Sequence, residues 1–108
     1  MNVPQSSQPE PIGNPTPDDF LKESGADIFL FGDTVFSNAE QVDWVKDSEY
    51  TLGEVYGEIT KQSGHAAEFE HGTANRLPVG TKIYRTDTPV YIADVDGKRI
   101  PYLQMVEG

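Results

Sequence analysis

The stretch Leu77–Val106 constrains the fold of this chain more than any other. It contains three apolar runs rich in β-branched and aromatic residues, Lys82–Tyr84, Val90–Ala93 and Ile100–Val106, separated by turn-forming residues. The second connection is Asp96-Gly97, a pair that tolerates the positive φ needed at both central positions of a type I′ turn. The stretch therefore predicts a three-stranded antiparallel meander.

A proline lies inside the last of these runs. The ring nitrogen of Pro101 has no hydrogen to donate to a neighbouring strand, so we expect an edge position or a β-bulge there. The alternation predicts that Ile100 and Tyr102 share one face of the strand, whereas Leu103 and Met105 lie on the other.

A hairpin and a helix are predicted upstream. The apolar runs Asp27–Phe31 and Thr34–Phe36 flank Gly32-Asp33, which indicates two short strands joined by a turn. The next residues begin a Ser-x-x-Glu pattern at Ser37, in which a hydroxyl and a carboxylate three residues later cap a helix N-terminus. We therefore expect a short helix over Ala39–Lys46.

Residues Leu52–Thr60 alternate between apolar and polar side chains, which predicts a strand with one face inward. Val55, Gly57 and Ile59 are predicted on the inward face. Gly53 and Gly57 indicate a bulge or a place where another group packs closely against the backbone. The following residues 61–75 predict either a loop or a single helical turn about residues 66–69.

These elements together predict an α+β, β-dominated fold. We expect a small curved sheet or half-barrel of about six mostly antiparallel strands with one short helix, formed by residues 26–108. Residues 1–25 are rich in Pro, Ser and Gln and poor in apolar side chains, so they predict a disordered tether. Within this tether, Asp18–Leu21 is compatible with one helical turn capped by Asp18.

Composition excludes several classes of function. The net charge of −10 and the lack of a basic stripe with interleaved aromatic residues argue against nucleic-acid binding. The chain has no cysteine, so it can form neither a disulfide nor a thiolate metal site. No apolar run approaches the roughly 20 residues that a membrane helix needs. The first residues also lack the basic and apolar regions of a signal peptide.

Both histidines of the chain lie in one short segment, His-Ala-Ala-Glu-Phe-Glu-His. His65, Glu68 and His71 are spaced at i, i+3 and i+6, so a helix would place two imidazoles and a carboxylate on one face that could hold a divalent metal. Gly64 and Gly72 flank the segment and oppose a stable helix. A small metal-dependent hydrolase using this segment is therefore an alternative, and a solvated acidic loop is the preferred interpretation.

Two further acidic patterns have simpler interpretations. The run Asp94–Gly97 resembles the start of a calcium loop, but the twelfth position, which needs a glutamate, is Met105. We therefore interpret this run as a hairpin turn. Glu54 and Glu58 share the polar face of one strand about 13 Å apart, beyond the carboxylate spacing of glycosidases.

The tyrosines are the remaining candidates for a functional surface. Tyr84 and Tyr91 belong to neighbouring predicted strands, where a cross-strand pair would form part of a binding surface. No pattern in the sequence indicates a catalytic nucleophile or a phosphate-binding loop, so we predict no catalytic residue and no cofactor.

Four segments, Ala26–Val45, Leu52–Ser63, Gly72–Tyr84 and Pro89–Leu103, resemble in that order a small, largely uncharacterised lipoprotein domain of Gram-positive, bacillus-type bacteria. The runs GTAN-x-LP-x-GTKIY and VDGK-x-IPYL are the most specific parts of this resemblance. It implies a lipidated cysteine at the position of Met1, a flexible tether and a location on the extracellular face of the cell membrane. It implies no catalytic residues. We expect a non-enzymatic monomer that binds a protein or a cell-wall component.

Overall fold

The computed structural model describes residues 16–23 and 25–105. It shows a β-dominated domain with one curled half-barrel sheet and two short helices. The strands are β1 (Ile28–Phe31), β2 (Thr34–Asn38), β3 (Leu52–Glu58), β4 (Lys61–Gln62), β5 (Thr73–Ala74), β6 (Lys82–Thr86), β7 (Val90–Val95) and β8 (Lys98–Met105). The helices are α1 (Pro17–Leu21) and α2 (Asp43–Lys46), and a 3₁₀ turn spans Ala66–Glu68.

The sheet has eight strands, not the expected six or so, in the order β3-β6-β7-β8-β2-β1-β5-β4. The additional strands are β4 and β5, which pair in parallel, whereas the other neighbours are antiparallel. Each is only two residues long, too short for apolar alternation to reveal it. The first and last strands in the order, β3 and β4, are joined in the chain by Ile59-Thr60 alone, and this connection curls the sheet.

The C-terminal meander forms as the sequence predicts. Strands β6, β7 and β8 are neighbours and antiparallel, and Val95 lies opposite Lys98 across a two-residue turn. In that turn Asp96 has a φ of 53° and Gly97 a φ of 87°, the two positive values that a type I′ turn requires. The preferred interpretation of this run as a hairpin turn is confirmed.

The expectation of an edge or a bulge at Pro101 is wrong. Pro101 lies opposite Ile92 in an interior strand whose register with β7 runs without a shift. Its carbonyl accepts a 2.9 Å hydrogen bond from the backbone N–H of Ala39, just past Asn38, the last residue of β2. In a strand, the N–H and C=O groups of one residue point to the same side. The ring nitrogen of Pro101 therefore faces the end of β2, and the pairing of β8 with β7 is unaffected.

The predicted helix over Ala39–Lys46 is also corrected. Only Asp43–Lys46 is helical, and Ser37 lies in β2, paired with residues of β1 and β8. The N-cap residue of α2 is Val42. The Asn38 side chain holds the turn before the helix, because its Oδ1 accepts from the Glu40 N–H at 2.7 Å and its Nδ2 donates to Oε1 of that residue. Strand pairing on both sides of Ser37 therefore outweighs a local helix cap.

The predicted faces of β3 are correct for Gly57, which packs against Phe31, and for Ile59, but they are reversed at Val55 and Tyr56. Val55 is 49% exposed, whereas Tyr56 packs against the buried core, and Ile59 is fully buried. The register with β6 shifts on both sides of Val55, and each shift is a β-bulge or irregularity that moves side chains to the other face. The glycines predicted the close packing correctly, because the ring of Phe31 lies directly against Gly57.

Two apolar clusters cover the two faces of the sheet. The inner cluster contains Phe29, Phe31, Phe36, Ile59, Ala74, Leu77, Ile83, Ala93 and Tyr102, with Tyr56, Tyr91, Val95 and Ile100 packed against it. The outer cluster contains Ala39, Val45, Val90 and Ile92, with Val42, Tyr50, Leu52, Tyr84 and Leu103 at its margin. The predicted faces of β8 are confirmed, since Ile100 and Tyr102 face inward and Leu103 faces outward.

Helix α1 lies within the segment predicted as a tether. Asp18 does not cap it, because Thr16 is the N-cap residue and Asp19 accepts hydrogen bonds from the Thr16 backbone and hydroxyl. These two hydrogen bonds lower the pKa of the Asp19 carboxyl. Residues 1–15 of the predicted tether, Ser24 and residues 106–108 lie outside the described residues.

Candidate binding surface

Four aromatic side chains from four strands meet at one end of the inner face. We call this set the aromatic rim, and it consists of Phe31, Phe36, Tyr56 and Tyr91. The ring centroids of Tyr56 and Tyr91 are 4.9 Å apart, Tyr91 is 4.9 Å from Phe36, and Tyr56 is 5.5 Å from Phe31. The phenylalanines are buried and the tyrosines are only half-buried, so the rim continues the core out to solvent.

An arginine covers the exposed side of the rim. The guanidinium carbon of Arg85, on β6, lies 4.5 Å from the ring centroid of Tyr56 and 6.0 Å from that of Tyr91. A cation over an aromatic face gains about 0.5–1 kcal/mol at an exposed site. Among the described residues no carboxylate lies within 4 Å of this cation, because the ion pairs there join Lys22 to Asp18 and Lys82 to Glu58.

A histidine extends the same surface. The imidazole of His71 is exposed and lies 5.1 Å from the ring of Phe31. Its Nδ1 accepts a 2.8 Å hydrogen bond from the backbone N–H of Gly32, so the neutral ring carries its proton on Nε2. His71 therefore links the hairpin turn after β1 to the segment before β5, beside the aromatic rim.

The two tyrosines proposed from the sequence are not a cross-strand pair. Tyr84 lies opposite Ile92 and packs against the outer cluster, whereas Tyr91 lies opposite Tyr102 and packs against the inner one. Tyr84 and its cross-strand neighbour Ile92 share one face of the sheet. Because side chains alternate along a strand, Tyr91, which precedes Ile92, lies on the opposite face. Tyr91 belongs to the aromatic rim and Tyr84 does not.

The structure does not bring His65, Glu68 and His71 together as metal ligands. In residues 16–23 and 25–105 no three His, Cys, Asp or Glu side chains are placed to hold a metal ion. The carboxylate of Glu68 accepts a hydrogen bond from the Ser63 hydroxyl, which lowers the pKa of that carboxyl, and the charges of His65 and Lys61 lower it further. The Nδ1 atom of His71 is already used by Gly32.

The other acidic candidates also have structural roles. The Oδ1 atom of Asp94 accepts a 3.0 Å hydrogen bond from the Gly97 N–H and so closes the hairpin turn. Glu58 pairs with Lys82 at 3.4 Å on an exposed surface, and Glu54 is exposed on the same strand. Such exposed carboxylates have no buried partner that would tune them for acid–base chemistry.

Sequence reasoning missed Arg85 and Tyr56. Alternation put Tyr56 on the polar side of its strand, and the register shifts beside it reverse that assignment. The glycine at position 57 was the available signal, because a residue without a side chain leaves room for the ring of Phe31 and hence for the rim. Arg85 carries no local signal, since only the pairing of β6 with β3 brings it over Tyr56.

The rim lies beside a free sheet edge. Within the described part of the chain β3 pairs with β6 alone, so its other backbone edge has no strand partner. The two register shifts and the glycines at 53 and 57 make this edge irregular. Irregular edges resist the addition of a further strand, so side-chain contacts are the recognition mode that this surface supports.

Comparisons with known proteins add no assignment. Searches against protein-family models, curated proteins and solved structures found no match for this chain. In the two described stretches of the chain, no helix is both long and apolar enough to cross a membrane. The candidate surface therefore rests on its own geometry.

Proposed function

We propose that this domain is a non-enzymatic binding module that recognises an acidic segment of a partner protein through Arg85 and the aromatic rim. The single observation that carries this proposal is the position of Arg85, whose guanidinium lies over Tyr56 while no carboxylate of the described residues neutralises it. A guanidinium held over an aromatic ring can still donate two parallel hydrogen bonds to a carboxylate through its N–H groups.

The surroundings support a binding role over a catalytic one. The half-buried rings of Tyr56 and Tyr91 offer rigid apolar area beside the cation, and arginine and tyrosine are enriched where proteins bind each other. Catalysis of hydrolysis would need a nucleophile or metal with a positioned base, and nothing in the rim supplies that combination. The metal-dependent hydrolase built on His65, Glu68 and His71 is not proposed, because those three side chains do not converge.

We further propose that the domain acts at the extracellular face of the cell membrane as a lipid-anchored protein. The four segments that resemble lipoprotein domains of bacillus-type bacteria support this location, and the Pro-rich residues 1–15 have the composition of a tether. A tether would hold the rim at a distance from the membrane, where it meets other surface proteins. The full gene tests this location, because it should encode a signal peptide that ends in a cysteine next to Asn2.

The binding proposal is tested with a defined acidic peptide. An acetylated, amidated pentapeptide of alternating Glu and Leu is titrated into the ¹⁵N-labelled chain, and a matched peptide with Gln in place of Glu is titrated in parallel. We expect saturable shifts in the amides of Tyr56, Arg85 and Tyr91 with the Glu peptide, and affinity that falls as salt is added.

Variants separate the proposed contact from general charge attraction. Arg85→Gln should weaken binding about tenfold, equivalent to roughly 1.4 kcal/mol, and Arg85→Lys should restore it only in part because lysine lacks the planar fork. Lys98→Gln removes the same charge from the exposed first residue of β8 and should bind as the wild type does. Equal binding of the Glu and Gln peptides, or no loss with Arg85→Gln, would contradict the proposal. Saturable binding of a cell-wall glycan fraction at the same amides, without the peptide, would replace it.

A further inference from the structure

A small cavity lies on the outer face of the sheet, between the α2 segment and strands β7 and β8. Its volume is about 220 Å³. The floor is apolar and well buried, because Val90 is 2%, Ile92 1% and Val45 8% exposed. Pro101 and Tyr50 complete its apolar wall. The cavity and the aromatic rim lie on opposite faces of the sheet.

The covering segment is too short to fill the space. Helix α2 is a single turn, Asp43–Lys46, and it places one buried side chain, Val45, against the outer cluster. The chain then turns at Ser48, whose hydroxyl donates a 2.6 Å hydrogen bond to the carbonyl of Trp44. Tyr50, two residues later, packs against the same cluster, and the cavity is lined by Val45, Tyr50, Val90 and Ile92.

Two cationic side chains stand at the wall of this cavity. Lys46 and Arg99 are both exposed, and the described residues that line the cavity include no carboxylate. Neither cation takes part in the ion pairs found among the described residues. Asp94 lies opposite Arg99 in the β7–β8 pair, but its Oδ1 accepts from the Gly97 N–H. Although the net charge of the chain is −10, the charged residues that line this cavity in the described part of the chain are the two cations.

We propose that this cavity binds a small organic anion with a short apolar body, its carboxylate between Lys46 and Arg99 and its body on Val90 and Ile92. The volume corresponds to about seven water molecules at liquid density, which fits a short-chain carboxylic acid rather than a drug-sized molecule. Apolar burial on the floor and charge-assisted hydrogen bonds at the wall would then act on the two ends of one ligand. This site is independent of the binding proposed for the rim.

Hexanoate is the probe that tests the site. Titration of the ¹⁵N-labelled chain should shift the amides of residues 45–50 and of Ile92 in a saturable way, with a Kd on the order of 1 mM as expected for so few ligand atoms. Hexanamide has the same apolar body without the charge and should bind about tenfold more weakly. Acetate has the charge without the body and should leave the Ile92 amide unshifted. Trp44, the single tryptophan of the chain, gives a second readout by fluorescence.

Matched variants decide between a built site and charge attraction. Lys46→Gln and Arg99→Gln should each weaken hexanoate binding about fivefold, because each removes one charge-assisted contact at a partly exposed site. Lys98→Gln removes the same charge one residue from Arg99 on the opposite face of the strand, and should bind hexanoate as the wild type does. All three positions are exposed, so the fold survives these changes. Equal affinity for hexanoate and hexanamide, unchanged binding in both cavity variants, or shifts confined to the aromatic rim would overturn the proposal.

Discussion

The hydroxyl of Tyr102 donates a 2.7 Å hydrogen bond to Oδ1 of Asp27, a residue 75 positions earlier in the chain. Tyr102 is fully buried at the centre of the inner cluster, and Asp27 directly precedes β1. The second oxygen of Asp27 accepts from Nδ2 of Asn38 at 3.0 Å. One carboxylate thus joins the last strand of the sheet to the first hairpin.

Removal of this hydroxyl should destabilise the fold. Tyr102→Phe keeps the buried ring but removes the donor to Oδ1 of Asp27, and a hydrogen bond to a charged group contributes about 1.5–3 kcal/mol. We expect the free energy of unfolding in urea to fall by about that amount with an unchanged m-value. Tyr84→Phe is the matched control, because among the described residues the Tyr84 hydroxyl makes no hydrogen bond. Equal small losses in both variants would show that the Asp27 contact is not stabilising.

Burial of the Tyr102 hydroxyl, together with its hydrogen bond to Asp27, makes the stability of the fold depend on pH in the alkaline range. Burial, and then the Asp27 carboxylate, raise the pKa of Tyr102 well above the usual value of 10. In the unfolded chain this phenol ionises near pH 10, whereas in the folded chain it stays protonated. Its contribution to the stability of the fold is therefore complete below pH 10 and declines above pH 10. We expect the free energy of unfolding to fall by about 1.4 kcal/mol per pH unit above pH 10.

Urea midpoints measured from pH 9 to pH 11.5 check this dependence. Tyr102→Phe should show a flatter alkaline decline than the wild type, because the phenylalanine has no proton to lose in the unfolded state. Identical pH profiles for the two proteins would mean that Tyr102 ionises without unfolding and that its burial is not the cause.

Local patterns predicted the parts of the fold that local chemistry decides. The meander, its Asp96-Gly97 turn and the inward faces of Ile100 and Tyr102 follow from alternation and turn propensity, which act within a few residues. The contact between Asp27 and Tyr102 follows from neither, because it forms only when β8 pairs with β2 and β2 with β1. Long-range pairing is the information that a single sequence does not display.

The aromatic rim cannot be predicted from the sequence for the same reason. Tyr91 was recognised as a candidate, but its partner is Tyr56 from β3 and not Tyr84 from the neighbouring strand. The register shifts around Val55 turn Tyr56 inward, and no composition rule predicts in which direction a bulge moves a strand. The capping pattern at Ser37 failed likewise, because two strand partners compete with a helix for the same backbone groups.

Threonine hydroxyls hold the connection between β6 and β7. The Thr86 hydroxyl donates to the carbonyl of Val90 at 2.8 Å and accepts from the Thr88 N–H at 3.0 Å, and the Thr88 hydroxyl accepts from the Val90 N–H. Thr86→Val keeps the shape of the side chain but removes the hydrogen-bond partner of the Val90 carbonyl and of the Thr88 N–H. We therefore expect the free energy of unfolding to fall by about 1–2 kcal/mol.

Thermal or urea unfolding measures this loss. Thr51→Val is the control, because Thr51 is exposed and, among the described residues, only its backbone is hydrogen-bonded, to Asp87, so its effect should be within about 0.5 kcal/mol. A Thr86 variant as stable as the control would show that water replaces the lost hydroxyl.

The aromatic rim depends on the absence of a side chain at position 57. A Cβ atom added to Gly57 would lie 2.5 Å from Cε2 and 2.8 Å from Cζ of Phe31, closer than two carbons can approach. Phe31 is buried against Phe29 and Phe36, so its ring cannot move aside without disturbing the core. Gly57→Ala should therefore cost about 1–3 kcal/mol of stability and displace Tyr56 from beneath Arg85.

Gly64→Ala separates this steric effect from the ordinary effect of replacing glycine. A Cβ at Gly64 meets no atom of the described part of the chain within 4 Å, so this variant should be neutral or more stable by about 0.4–1 kcal/mol through the unfolded state. Urea unfolding gives both stabilities, and the ring-proton NMR shifts of Tyr56 and Tyr91 report the rim. Because the rim is continuous with the inner cluster, stability and rim geometry should change together in Gly57→Ala. If stability falls while the tyrosine shifts stay fixed, the packing of Phe31 on Gly57 does not position the proposed binding surface.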